Sequence, residues 1–155
     1  MKKLNVLLSL VMSLMLVGNL SAQEEISNED LRKYALMSEV ITLMKKDISV
    51  EVNQMIKNQE GMTGKRYSEL AKANGDEAKL EELEAKEFEI QFLQLVNDLK
   101  EKRITAIKTV NQQLATKMVG DKGKLYKKIK SELTSNTELK ERYDQIVASI
   151  RMENQ

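Results

Sequence analysis

The sequence contains no cysteine, histidine, proline or tryptophan. Without histidine and cysteine, the usual zinc and copper sites, thiol chemistry and histidine-based catalytic triads are excluded. Without cysteine there are also no disulfides, so stability must come from packing alone. We therefore expect a noncatalytic protein that holds no cofactor.

Residues that break helices are rare. Proline is absent, and the 155 residues include only 6 glycines. Those beyond residue 22 form two pairs, Gly61 with Gly64 and Gly120 with Gly123, and a single Gly75. Long stretches without a breaker predict an all-α fold, in which the paired glycines close turns between helices.

The first long stretch carries the signals of a helix that packs against another helix. Ser27, with Asp30 three positions later, predicts a capping box that starts a helix over about residues 28–59. Apolar side chains then recur every seven residues, as a seam for a partner helix does. This seam consists of Tyr34, Ile41, Ile48 and Met55.

A pattern recurs along the chain at a constant offset of 59 positions. The offset relates Gly61 to Gly120, Tyr67 to Tyr126, and apolar positions such as Leu70 to Ile129. A constant offset without gaps predicts one structural unit used twice. We expect the units to be residues 27–85 and 86–152 of a single domain that spans residues 23–155.

The later stretches predict how these units are joined. Asp76 can cap a helix, and no glycine or proline follows until Gly120, so we expect one unbroken helix over residues 77–118. The predicted fold is an elongated all-α bundle of two similar three-helix units that share this long central helix. Ser135 with Glu138 predicts a capping box for the last helix.

Part of the predicted central helix also has the alternation of a strand. Phe88, Ile90 and Phe92 are separated by polar residues, as on a half-buried strand. The stretch has no turn at either end and no partner strand elsewhere, so we favour the helix.

The first 22 residues have the pattern of a secretory signal peptide. Lys2 and Lys3 precede an apolar run, and Ala22 is a small residue before the expected cut. The run is too short for a membrane-spanning helix, so we expect cleavage and no stable membrane insertion afterwards. The protein is then exported to the periplasm, the cell surface or the medium.

The charge balance bears on the partners. The chain has 25 basic and 24 acidic residues, and two of the basic ones lie in the expected signal peptide. A nearly neutral mature chain has no overall attraction to nucleic acid, so we expect no nucleic-acid partner. An envelope protein or a glycan is left open as the partner, and the oligomeric state stays open too.

The two glycine turns carry the candidate binding residues. A lysine and a tyrosine follow each turn at the same spacing, and these are Lys65, Tyr67, Lys124 and Tyr126. Backbone amides of the turn and the lysine could hold an anion, and the tyrosine ring could face a ligand. The alternative is structural: the glycines close a tight turn, and each tyrosine packs over its own turn.

Residues 26–31, together with residues 66–73, Asp76 and Leu80, resemble a bacterial exported helical family, domain of unknown function forty-one sixty-eight. The resemblance extends through Tyr126, Ile129 and Leu139, as in two tandem copies. The proline that often follows the acidic residue in this family is missing here. The resemblance implies export and a helical fold, and it brings no activity or catalytic residues.

Two functions remain in view. The first is a noncatalytic binding or interaction protein of the bacterial cell envelope. The second is a chaperone-like holder of unfolded envelope proteins, because methionine side chains adapt to irregular apolar ligands. A concave apolar groove lined by Met37, Met44 or Met55 would favour the holder, and a convex surface with buried methionines would favour simple interaction.

Overall fold

The computed structural model describes residues 25–153, and the predicted signal peptide lies outside this range. Within the range the chain is all-α, as predicted, and no strand is present. A π-helical turn, Leu114–Val119, continues the helix Glu87–Gln113, and a short 3-10 turn, Asp121–Gly123, follows it. The helices are α1 (Asn28–Asn58), α2 (Gly64–Ala71), α3 (Glu77–Glu82), α4 (Glu87–Gln113), α5 (Lys124–Glu132) and α6 (Thr137–Glu153).

Local side-chain caps set several of the helix starts. At α1, the Ser27 hydroxyl accepts a hydrogen bond from the Asp30 N–H at 3.1 Å, and the Ser27 N–H donates to the Asp30 carboxylate at 3.3 Å. This confirms the predicted capping box. Thr63 caps α2, and Asp76 caps α3 as expected. These caps satisfy N–H groups that have no partner within the helix.

The last helix begins differently from the prediction. The N–H of Leu139 donates to the side-chain oxygen of Asn136 at 3.0 Å, so Asn136 caps α6. The predicted capping box of Ser135 with Glu138 is therefore wrong. The sequence signal was ambiguous by one residue, because serine and asparagine are equally good caps.

Two apolar cores lie at opposite ends of α1. The first core joins the end of α1 to α2, α3 and the start of α4, and consists of Val52, Ile56, Met62, Leu70, Ala73, Leu80, Phe92, Leu93 and Val96. The second core joins the start of α1 to the π-helical turn after α4, to α5 and to α6, and consists of Ile26, Leu31, Tyr34, Met37, Ala115, Val119, Ile129 and Leu139. Because the start of α4 meets the end of α1, these two long helices run antiparallel.

The C-terminal helix is attached to α1 by a smaller apolar cluster and by ion pairs. Ala35 packs against Val147 and Ile150. Arg151 binds Glu39 at 2.9 Å, and Arg32 binds Glu153 at 2.7 Å. Since α6 ends at Glu153, it accompanies only the first part of α1.

The predicted unbroken helix over residues 77–118 is wrong. The chain leaves the helix after Glu82 and begins α4 at Glu87. Glu84 adopts a left-handed conformation (φ 47°), and the N–H of Ala85 donates back to the Leu80 carbonyl at 2.9 Å. This is the usual hydrogen-bond pattern of a helix C-terminus, formed here without the customary glycine.

Arg66 of α2 stabilises the non-helical segment between α3 and α4 through hydrogen bonds. Its guanidinium donates to the carbonyl oxygens of Leu83 (3.0 Å) and Glu84 (3.3 Å). It also forms two hydrogen bonds to the Glu89 carboxylate, at 2.7 and 2.8 Å. Glu89 in turn accepts the N–H of Lys86 at 2.9 Å and so caps α4. A tertiary contact thus stabilises a break for which the local sequence has no signal.

Two pairs of positions related by the 59-residue offset agree in burial or in backbone conformation. Leu70 and Ile129 are fully buried, each in its own core, and Gly61 and Gly120 both have positive φ. The alternating stretch at Phe88–Phe92 lies within α4, which confirms the helix over the strand. Superposition of residues 28–85 on residues 87–144 stays a prediction. The prediction that the two units share one central helix is wrong, because the chain is not helical at residues 83–86.

We expect substitution of Gly61 by valine to lower the free energy of unfolding by about 2 kcal/mol, because the left-handed conformation is costly for a β-branched residue. Gly61 has φ 77°, and a Cβ atom there would lie 3.1 Å from the Phe88 ring. Gly120→Val is a second test of backbone conformation, because Gly120 (φ 101°, ψ −171°) lies in a region that only glycine readily adopts, and no atom lies within 4 Å of the added Cβ. Urea unfolding should show a loss of at least about 1 kcal/mol in both variants. Wild-type stability in both variants would contradict a backbone role for these glycines.

Candidate binding groove

The first pair of predicted site residues lies on α2, against the first core. The Tyr67 ring packs edge-on against Phe92 with ring centres 6.3 Å apart. Its hydroxyl accepts a hydrogen bond from the Lys100 ammonium at 2.8 Å, and that ammonium lies 5.4 Å from the ring centre. Lys65 is exposed and approaches Glu69 at 3.9 Å. Tyr67 is thus engaged in packing, whereas Lys65 faces solvent.

The second pair lies on α5, against the second core. The Tyr126 ring packs on Tyr34, with centres 5.5 Å apart, and Tyr34 meets Tyr143 edge-on at 5.9 Å. Burial raises the pKa of Tyr34 to about 12, with smaller contributions from the two neighbouring tyrosines. Its phenol therefore stays neutral at ordinary pH. Lys124 is exposed. The structure places each predicted pair on its own core and does not combine the four residues in one site.

An apolar depression lies between the two cores, where α1 and α4 run side by side. We call it the waist groove; its volume is about 500 Å³. It is lined by Tyr34, Met37, Ser38, Ile41, Thr42, Lys45, Ile48, Ile104, Ile107, Lys108, Asn111 and Tyr126. Of the predicted site residues, only Tyr126 belongs to this lining.

The groove exists because the apolar stripe of α1 extends beyond the part of α1 on which α6 packs. Ile41 and Ile48 continue the seam from Tyr34, but α6 ends beside Glu39. Beyond that point, within residues 25–153, α1 is flanked by α4 and by Tyr126 of α5, and Ile41 and Ile48 stay half-buried. On the α4 side, Ile104 is 46% exposed. Two helices in contact bury only one face of each, so a third element is needed to cover this stripe.

Further apolar side chains are exposed on the same part of α1. Val40 is 41% exposed and Leu43 is 57% exposed. Neither residue belongs to the lining of the waist groove. Single exposed apolar residues are ordinary on a protein surface, so these two side chains do not extend the groove.

The charged residues of the lining are of one sign. They are Lys45 of α1 and Lys108 of α4, and none of the lining residues carries a carboxylate. Both lysines are exposed. An ammonium group beside an apolar surface favours a ligand that combines an apolar body with a negative group.

Within residues 25–153, no three His, Cys, Asp or Glu side chains are grouped so that they could hold a metal ion. The one buried carboxylate among these residues, Glu89, is fully engaged by Arg66 and the Lys86 N–H. In the same part of the chain, no helix is long and apolar enough to cross a membrane.

Most of the groove was not predicted from the sequence. Tyr34, Ile41 and Ile48 were predicted to form a seam for another helix, and α4 does lie there. Ile104, Ile107, Lys45 and Lys108 were not predicted. The helical spacing of Ile104 and Ile107 is visible in the sequence, but only the structure shows that Ile107 is buried whereas Ile104 is 46% exposed.

Comparison of the chain with protein-family models, with curated proteins and with solved structures found no match. The resemblance to a bacterial exported helical family therefore stays a prediction.

Proposed function

We propose that this protein is an exported, noncatalytic binding protein of the bacterial cell envelope, and that the waist groove is its interaction surface. The observation that carries the proposal is an apolar stripe on α1 and α4 left without a covering helix, around Ile41, Ile48 and Ile104. A helical partner that lays its apolar face along this stripe would complete a three-helix arrangement.

The chemistry of the groove favours a protein segment over a glycan. Its floor is formed by isoleucines and the Tyr126 ring, which bind apolar side chains. Lys45 and Lys108 would pair with carboxylates of the partner. The preferred ligand is therefore an amphipathic helix with an apolar face and flanking Asp or Glu residues.

The chaperone-like alternative has one supporting observation, the concave apolar groove with Met37 in its lining. Met37 is nevertheless only 2% exposed, and the accessible apolar side chains of the lining are Ile41, Ile48, Ile104 and Tyr126. A β-branched side chain is stiff and adapts poorly to varied ligands, unlike methionine. This difference supports a binding protein with a defined partner over a general holder.

We expect Ile104→Asp to weaken binding of a synthetic acidic amphipathic helical peptide by at least about tenfold, because a carboxylate would be buried against an apolar face and would repel the acidic flanks. Leu95→Asp is the matched control: Leu95 is a 57% exposed residue of the same helix outside the groove lining. Fluorescence anisotropy of the labelled peptide measures both affinities.

Equal affinities of the two variants would refute the groove as the binding surface. The same two variants separate the proposed functions. A holder would suppress aggregation of an unfolded envelope protein, and Ile104→Asp would abolish that suppression. A binding protein with a defined partner would show no such suppression in either variant.

We expect export to remove residues 1–22. Mass spectrometry of protein recovered from the periplasm or the medium should give the mass of a chain that begins at Gln23. Recovery of a membrane-bound chain that retains Met1 would contradict export as a cleaved protein.

A further inference from the structure

The connection between α3 and α4 joins two halves of the molecule through only residues 83–86. The first half is residues 25–82 and the second half is residues 87–153. The connection has the sequence Leu-Glu-Ala-Lys, which is made of good helix formers, and it contains no glycine or proline. Glu84 nevertheless adopts a left-handed conformation there, which costs free energy for any residue with a Cβ atom. The segment is therefore bent against its local preference.

Neither half contains a complete core. The first core combines Leu70 and Leu80 of the first half with Phe92 and Val96 of the second half. The second core combines Leu31 and Met37 of the first half with Ile129 and Leu139 of the second. Each half therefore needs the other for the burial of its apolar face.

We infer that residues 83–86 are a hinge through which two copies of this chain exchange their second halves. In the exchanged dimer the hinge becomes helical, and α3 and α4 merge into one helix over residues 77–113. The second half of each copy then packs on the first half of the other, so both cores form again between the chains. The partner is a second copy of this chain, related by a twofold axis.

The contacts of Arg66 affect the equilibrium between the monomer and the exchanged dimer. The two hydrogen bonds to Glu89 join different halves, so they form again between chains in the dimer. The bonds to the carbonyl oxygens of Leu83 and Glu84 stay within the first half and the hinge, and they exist only while the hinge is bent. A continuous helix would use those carbonyls for its own hydrogen bonds. These two bonds therefore stabilise the monomer specifically.

Two substitutions at Glu84 test the hinge in opposite directions. Glu84→Gly removes the cost of the left-handed conformation and weakens a continuous helix, so it should lower the dimer-to-monomer ratio by about tenfold or more. Glu84→Val makes the left-handed conformation costlier and should raise that ratio by about tenfold or more. Light scattering coupled to size-exclusion chromatography, after incubation of the purified protein at high concentration, measures the ratio.

Glu87→Pro tests whether the dimer requires a continuous helix. Proline is favourable at the first position of α4, and the preceding Lys86 has the extended conformation that proline requires (φ −79°, ψ 153°). In a continuous helix the same proline would clash with the preceding turn. The variant should therefore fold as the wild-type monomer does, by circular dichroism, and form no dimer.

A cross-link distinguishes exchange from ordinary association. Glu51 of α1 and Arg103 of α4 are in contact at 2.9 Å, one in each half. The chain has no cysteine, so Glu51→Cys with Arg103→Cys can be joined selectively by a short bismaleimide. Treatment of the isolated dimer should give covalently joined chains on a denaturing gel. Cross-links within single chains of that dimer, absence of dimer in both wild type and Glu84→Val, or a dimer unchanged by Glu87→Pro would each overturn the exchange.

Discussion

Replacement of Arg66 by methionine is expected to lower the free energy of unfolding by about 3 kcal/mol, because it leaves the Glu89 carboxylate buried without its cation. The side chain of Glu89 is 4% exposed and that of Arg66 is 27% exposed. The substitution also removes the hydrogen bonds to the Leu83 and Glu84 carbonyls. Urea unfolding followed by circular dichroism measures the loss.

The double variant Arg66→Met with Glu89→Met is the control for this prediction. Removal of both charges avoids an unpaired buried carboxylate, so the double variant should be more stable than Arg66→Met alone. A double variant that is less stable by the sum of the two single losses would show that the charges act independently. In that case Arg66 would not owe its effect to Glu89.

The same pair predicts a defined loss of stability in acid. Hydrogen bonds from Arg66 lower the pKa of Glu89 from 4.5 to about 2, against an opposing effect of burial. A carboxyl group whose pKa is lower in the folded state stabilises the fold above its unfolded pKa. This stabilisation should therefore be complete above about pH 5 and should decline as the pH falls from 4.5 towards 2. The Arg66→Met, Glu89→Met variant should lose less stability over this range.

Truncation of the cores is the second large expected effect. Leu70→Ala and Ile129→Ala should each lower the free energy of unfolding by about 3 kcal/mol, since both side chains are fully buried. Leu43→Ala, at an exposed position of α1, is the control and should lower the free energy of unfolding by well under 1 kcal/mol.

These two core variants also test whether the cores unfold together. α1 contributes to both cores, and α4 with the π-helical turn that continues it does the same, so each core depends on the other for its helices. We therefore expect a single unfolding transition in each variant, with the same midpoint by circular dichroism and by tyrosine fluorescence. Two separated transitions in Leu70→Ala would show that the cores are independent units.

Much of the secondary structure could be predicted because its signals are local. The capping box of Ser27 and Asp30, the cap at Asp76 and the turn glycines Gly61 and Gly120 lie within a few residues of the groups they contact. The composition likewise excluded disulfides and the usual cysteine and histidine sites before any fold was known. Tyr67 and Tyr126 pack against their own cores, and the binding role of Lys65, Tyr67, Lys124 and Tyr126 stays a prediction.

The amino-acid sequence by itself determined the all-α class, the positions of most helix starts and the two glycine turns, because capping and backbone preferences act over three or four residues. Tertiary structure decided the break between α3 and α4, where Arg66 contacts Leu83 and Glu89 from 17 and 23 positions away. It also decided that the middle of α1 is left uncovered, because the end of α6 relative to Glu39 depends on packing. Local preference favoured one continuous helix over residues 77–118 and an apolar seam on α1 covered by a partner helix. Contacts between distant residues outweighed that preference.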